Sequence, residues 1–378
     1  MLFRSLDLVT SNRRLDHGIG KALDDLVRIG VYPSEFGCDF LVLAALVHAA
    51  DTRISRTTES QDTWTREIRL VVPVSDPSRW AVGGHILKRM LDFLTGDLWV
   101  IDFRPRPRAF QTIRHASGER KAVAAYDGLA LFSGGLDSLI GAIDLVEAGF
   151  RPLFVSHAGD GAASAAQRTC FDGLQKRYSG RSIERLRLAM GFPKRLIRGS
   201  DPEDTTRGRS FLFFALAVFA GTGLDDSFTV HVPENGLIAV NVPLDPLRLG
   251  SNSTRTTHPF YMARWNELLV ALGVEGTVRN PYWDKTKGEM VASCANPKLL
   301  RDLIPASLSC SSPTKGRYRG HGIEHCGYCL PCIIRRAALA KALGMGSDPT
   351  TYGVPDLTSG ILDTTRAEGQ QVRSFQFA

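Results

Sequence analysis

The chain has 378 residues, 43% of them hydrophobic, which leaves room for two or three domains and a sizeable core. No stretch approaches the roughly 18 uninterrupted apolar residues of a membrane span, and Met1-Leu2-Phe3-Arg4 does not read as a signal peptide, so a cytoplasmic protein with no membrane partner is expected. The net charge of +7 suits ATP, an acidic substrate or RNA, but no basic run is interleaved with aromatics, so nucleic acid is not required. Seven cysteines in such a chain argue against a disulfide framework, and four of them cluster near the end, which suggests metal.

Residues 1–122 read as a separate N-terminal α+β domain. Helical spacing appears over 20–29 and 40–48, and 63–74 alternates in part like a half-buried strand. A helix is expected over 84–94, with Ile86, Leu87, Met90, Leu91 and Leu94 on one face and a stop at Gly96. A strand follows over 97–103. Arg104-Pro105-Arg106-Pro107-Arg108 is the most basic stretch and reads as an exposed linker. No catalytic constellation stands out here, which leaves partner or substrate docking as the domain's task.

Residues 123–300 alternate strand-like and helix-like segments, the signature of a parallel α/β sheet. An apolar run ending at Phe132 enters Ser133-Gly134-Gly135-Leu136-Asp137-Ser138, and a helical pattern then runs to Gly149. Strand, glycine turn and helix N-terminus are the parts of a phosphate cradle: glycines admit an anion close to the backbone, and the free N–H groups of the helix point at it. Ser133 and Ser138 add hydroxyls, and Asp137 is acidic where Mg²⁺ would bridge phosphate oxygens. The Gly-Lys-Ser/Thr of a P-loop is absent.

The strand 152–157 ends at His157, ahead of a second glycine loop containing Asp160 and a helix over 164–178. Ligands lie beyond the C-terminal strand ends of open α/β sheets, so His157 and Asp160 are candidate nucleotide contacts. Arg207 and Arg209 bracket a glycine before the most apolar segment, 211–220, and offer guanidinium forks to an anion. The strand 228–231 leads to Glu234-Asn235-Gly236, a tight turn whose carboxylate and amide suit a purine-like edge. The polar run over 253–259, with Arg255, Thr256, Thr257 and His258, precedes a helix over 260–272 and either lines a pocket or caps that helix. Lys287 enters the next helix, placed to offset charge on a transferring phosphoryl group.

Cys310 is followed 16 residues later by Cys326-Gly327-Tyr328-Cys329-Leu330-Pro331-Cys332. Four thiolates are enough for a closed, structural tetrahedral Zn²⁺ site. An iron–sulfur cluster is the main rival and a redox Cys-x-x-Cys the third. His321 and His325 are spare ligands nearby, while Cys38, Cys170 and Cys294 read as buried or incidental.

Ser-Gly-Gly-x-Asp-Ser resembles the PP-loop motif of the ATP pyrophosphatase (adenine nucleotide alpha hydrolase-like) superfamily. Together with Cys…Cys-x-x-Cys-x-x-Cys it resembles the 7-cyano-7-deazaguanine synthase (QueC) family, over 126 to about 340. Thr286-Lys287-Gly288-Glu289 looks like that family's Thr-Lys-x-Glu, and Gly208-Arg209-Ser210 like its Gly-Arg-Asn with Ser210 for Asn. Three departures stand out. The first cysteine is unusually far from the other three, His157-Ala158-Gly159-Asp160 replaces the family's Tyr-Gly-Gln loop, and the N-terminal domain has no counterpart. Such an extended form is similar to the QatC-type subgroup of bacterial anti-phage defence operons, which Glu234-Asn235-Gly236 and the 253–259 run also resemble.

The resemblance implies a PP-loop-type parallel sheet over 123–300, a zinc region over 301–345 and a C-terminal tail over 346–378. It implies an ATP-, Mg²⁺- and Zn²⁺-dependent ligase that adenylates the carboxylate of a 7-deazaguanine. Ammonia or an amine, in a defence setting one on a protein partner from the same operon, then attacks to give an amide, which in the biosynthetic family a second activation dehydrates to a nitrile. Asp137, Arg209 and Lys287 would be catalytic, Ser133 to Ser138 and His157 would hold ATP and pyrophosphate, and Glu234, Asn235 and Arg255 to His258 would hold substrate. The rivals are a PP-loop tRNA thiolase or lysine ligase, and an inactive nucleobase-binding adaptor.

Overall fold

A computed structural model describes residues 5–10, 12, 14–114, 126–159, 161–194, 196, 201–203, 207–224, 227–240 and 255–377. Asp160 and residues 253–254 of the polar run lie outside these.

The chain opens with α1 (Ile19–Arg28), α2 (Glu35–Arg53) and the short α3 (Arg56–Glu59). Then β1 (Glu67–Val74), α4 (Pro77–Thr95) and β2 (Leu98–Pro105) form a crossover unit, with β1 and β2 parallel and Glu67 opposite Leu98. Local signals set α4. Asp76 accepts the Arg79 N–H at 3.0 Å, Pro77 stands in the first turn, and Gly96 ends the helix at φ +74°. Sequence periodicity locates this helix only from 84, because Trp80, Ala81 and Val82 are consecutive and show no helical spacing; the cap is the signal that starts it.

The main sheet is parallel and five-stranded: β3 (Gly128–Leu131), β4 (Pro152–His157), β5 (Glu184–Leu188), β6 (Phe228–His231) and β7 (Gly276–Arg279), in the order β5-β4-β3-β6-β7. Its helices are α5 (Leu136–Glu147), α6 (Gly161–Arg177), α7 (Arg209–Gly221), α8 (Gly236–Ala239), α9 (Pro259–Ala271) and α10 (Lys287–Ala292). They are followed by α11 (Pro297–Leu303), α12 (Leu330–Leu343) and α13 (Ala367–Phe377).

Both faces of the sheet are covered, which is why β3 and β4 read as continuous apolar runs. Leu129, Leu131, Leu153 and Val155 face one core with α7, α9 and the N-terminal helices, while Ala130, Phe132 and Phe154 face a second core with α5, α6, α11 and α12. The N-terminal segment therefore shares its core with the sheet, and α2 packs on α7.

A buried charge network holds that junction. Asp97 takes Arg66 and Arg56 at 2.6 Å each, and Asp51 takes Arg66 at 3.2 Å and the Gly208 N–H at 2.7 Å. Arg106 departs from the linker expectation for 104–108: it is buried and ion-paired to Glu35 and Asp39. The sequence displays Arg106's charge but not its partners, which lie 71 and 67 residues earlier. The segment after 346 is likewise more than a tail. Gly353 and Val354 donate to the carbonyls of His325 and Cys326 at 2.8 and 3.0 Å, and Tyr352, Val354 and Val372 pack on the cysteine cluster. No helix among the described residues is long and apolar enough to cross a membrane.

Candidate active site and metal centre

The chain leaves β3 toward β4 on one side and returns to β6 on the other, so a topological switch point opens beyond the C-terminal ends of β3 and β6. The loop over Ser133 to Gly135 and the turn over Glu234 to Gly236 emerge there.

Gly134 has φ +79°, and a Cβ on it would lie 2.7 Å from the backbone nitrogen of Gln167 on α6. Only glycine satisfies both constraints. Gly134→Ala is expected to cost roughly 2–4 kcal/mol, from the left-handed backbone and the contact together; urea unfolding would show it, and a loss under about 1 kcal/mol would contradict it. The Ser138 hydroxyl donates to Gly135 O at 3.0 Å, Ser133 Oγ donates to Ser138 Oγ at 3.1 Å, and the Gly135 N–H reaches Ser133 Oγ at 3.3 Å. The Leu136 N–H, at the first residue of α5, is taken by Ser309 Oγ at 3.2 Å.

Asp137 is the hub. Its Oδ1 lies 3.0 Å from Lys287 Nζ, and its Oδ2 accepts Asn235 Nδ2–H at 2.7 Å and the Asn235 backbone N–H at 3.2 Å. Lys287 is aimed by its own helix terminus. Thr286 and Glu289 form a reciprocal capping box, which leaves Lys287 in the first turn of α10, buried against Asp137. Asn235 also caps α8 by accepting the Ile238 N–H at 3.3 Å. Helix α5 comes close to this turn because Gly141 has no side chain: a Cβ there would sit 2.3 Å from Pro233.

Glu234 is half-buried beside this hub and accepts a hydrogen bond from Thr257. Burial pushes its carboxyl up to about 7, with the Asp137 charge adding and Thr257 and Lys287 opposing. A carboxyl whose folded pKa is raised stabilises the fold while protonated, in full below about 4.5, and that contribution is lost as pH rises through about 7. Wild-type thermal stability is therefore expected to fall more between about pH 5 and pH 8 than that of Glu234→Gln; parallel curves would remove Glu234 from the account.

His157 ends β4, where its Nε2–H donates to Met190 O at 3.4 Å and its own carbonyl accepts Gln167 Nε2–H at 3.0 Å. Burial, and then the Arg209 guanidinium, push His157 down to about 4, so the ring is neutral. Its neighbour is His48 of α2, ring centroids 5.8 Å apart, itself pushed down to about 3 by burial. Arg209 stacks over Phe213, and the next residue, Ser210, shares a hydrogen bond of 2.7 Å with Thr256.

The named residues thus form a circuit around the strand ends. Gly134 touches Gln167, which holds His157 beside Arg209; Ser210 meets Thr256, and Thr257 meets Glu234, next to Asn235 and Asp137. Arg255 and His258 face elsewhere. Arg255 donates to Phe93 O and stacks on that ring at 4.9 Å, while His258 Nδ1 accepts the Phe260 N–H at 3.1 Å as the cap of α9. Of the two readings open for the polar run, His258 follows the cap, while Thr257 bonds Glu234.

Sequence reasoning missed Gln167, Ser309, His48 and Asn280. Asn280 holds the turn by donating to Glu234 O at 2.7 Å and accepting the Glu234 N–H at 3.3 Å. Its place after a strand and before a proline was its only local signal; nothing local marks His48, set within an apolar helix.

The sulfurs of Cys310, Cys326, Cys329 and Cys332 lie within 4.8 Å of one another, and three of the four residues are buried. Tetrahedral Zn–S bonds of about 2.3 Å place sulfurs about 3.8 Å apart; Cys310 to Cys329 is 3.9 Å and Cys326 to Cys332 is 4.0 Å. Backbone N–H groups of Ser312 and Cys326 point at Cys310 Sγ at 3.4 and 3.3 Å, and that of Cys329 at Cys326 Sγ at 3.4 Å. Such donors favour thiolates. The four cysteines can bind a metal such as zinc. His325 is engaged elsewhere, accepting the Ser309 N–H at Nε2, and His321 pairs with Glu324.

Comparison with protein-family models and with curated proteins finds no match to this chain. The functional reading therefore rests on the site itself.

Proposed function

We propose that this protein is an ATP-dependent, AMP-forming carbon–nitrogen ligase of the QueC-like PP-loop type, in the manner of the QatC-type subgroup. The observation that carries the reading is Asp137, joined to Lys287 and Asn235 one residue past a loop whose Gly134 tolerates no side chain. An acidic residue, a lysine and a helix N-terminus at a switch point suit a nucleoside triphosphate.

In this reading the substrate carboxylate, on a 7-deazaguanine-type acid, attacks the α-phosphorus of ATP. The bond to the β-phosphate breaks and pyrophosphate leaves. Ammonia or an amine, including one on a partner protein of an anti-phage operon in the cytoplasm, then attacks the acyl carbon and expels AMP. Ser133, the 134–136 backbone and Ser138 cradle the pyrophosphate, and Lys287 and Arg209 offset its charge. Asp137 is the carboxylate that would hold Mg²⁺, which would supply positive charge to the phosphate oxygens. Glu234 meets the guanidine-type edge of the base, with Thr256 and Thr257 behind it and Asn235 holding the turn against Asp137. Zn²⁺ in the closed four-cysteine centre has a structural part.

Pyrophosphate release from ATP, with and without 7-carboxy-7-deazaguanine, tests this in the wild type and Asp137→Ala. Acid-stimulated release that is lost in the variant supports the reading. Release indifferent to the acid discards the substrate, and no release with candidate partners present discards the ligase.

A further inference from the structure

The cysteine centre and the glycine loop meet through three consecutive residues. Leu308 donates its N–H to Gly134 O at 2.9 Å, Ser309 Oγ takes the Leu136 N–H at 3.2 Å, and Cys310 is one sulfur of the centre. The Ser309 backbone N–H is held in turn by His325 Nε2 at 3.1 Å, and His325 directly precedes Cys326, a second sulfur. A Cβ on Gly135 would lie 3.4 Å from Leu308 O and 3.7 Å from Ser309 Oγ, so this segment lies flat against the loop. Two of the four sulfurs are therefore one residue away from the groups that brace the loop.

The braced atoms matter. The Leu136 N–H is one of the amides at the start of α5 that no carbonyl of the helix takes, and Ser309 Oγ fills that place. A hydroxyl both accepts and donates, so Ser309 can hold this amide and can also donate to an anion at the helix end. Asp or Glu in its place would repel the anion, and an aliphatic residue would leave the amide unheld.

We infer that Ser309, oriented by His325, is a positioning residue through which the four-cysteine centre supports the anion seat, so that metal occupancy and pyrophosphate affinity are coupled. The inference rests on reading 133–138 as a pyrophosphate seat. Coupling between two binding sites is reciprocal: pyrophosphate must tighten metal binding by the factor by which metal tightens pyrophosphate.

Two measurements on the full chain test it. In hydrogen–deuterium exchange, stripping the metal is expected to speed exchange over 133–138, while 212–219 in the other core keeps its protection. Ser309→Ala is expected to do the same with its metal retained, and Ser309→Thr, which keeps the hydroxyl, to restore protection. In metal competition against a chromophoric chelator, pyrophosphate is expected to tighten metal binding about three- to tenfold in the wild type, the scale of one hydrogen bond, and not at all in Ser309→Ala. Exchange over 133–138 that ignores both chelation and Ser309→Ala overturns the inference, as does pyrophosphate that binds without changing metal affinity. If pyrophosphate fails to bind the wild type, the proposed ligase reading falls, and the exchange measurement alone decides the support role.

Discussion

Lys287→Met is expected to slow pyrophosphate release by about 10²–10³-fold, the usual cost of removing one preorganised group that stabilises transition-state charge. Methionine keeps the length and apolar stem of lysine and removes the charge. The ammonium sits 3.0 Å from Asp137 in a site where both side chains are largely buried, so water does not replace it. The fold should survive, because Asp137 keeps two N–H donors from Asn235 and the α10 capping box does not involve the Lys287 side chain. A stability loss of roughly 1–3 kcal/mol should accompany the change. Steady-state kinetics separate the roles. A fall in kcat marks a charge used in the transition state, whereas an unchanged rate with lowered stability would reduce Lys287 to a structural partner of Asp137.

Removing the metal is the second large effect. Chelation at neutral pH is expected to lower the thermal midpoint by roughly 10 °C or more, since structural thiolate sites contribute much of the folding energy of the segments they join. The centre organises 310–332 and anchors the segment after 346 through Gly353, Val354 and Tyr352, so all of it should loosen together. Thiol titration under native conditions gives a sharper readout. Four of the seven cysteines should become reactive, while Cys38, Cys170 and Cys294 stay buried. Burial pushes each of those three up to about 12, which keeps them as unreactive thiols. An unshifted midpoint with all thiols still protected would show that no metal is held.

Local features were legible in the residues alone. Apolar runs became β3, β4 and β6, the glycine and serine turn became the entry to α5, and Thr286 with Glu289 specified the cap that aims Lys287. The cysteine spacing was legible for the same reason: three of the four sulfurs come from one seven-residue stretch. Patterns of this kind survive in sequence because caps, turns and periodicity act within a few residues.

Which distant groups complete these pieces depends on how the chain crosses itself. Asp137 meets Asn235 from 98 residues away, and Ser309 reaches Leu136 across 173. The N-terminal segment, set apart by its patterning, shares a core with the sheet and brings His48 to His157, because α2 is buried along nearly its whole length and α7 lies beneath it. Arg106 passed for a solvated linker charge for the same reason. A side chain's ionic partners are chosen by chain crossing and by the need to neutralise a buried charge, and neither leaves a mark in the residues beside it.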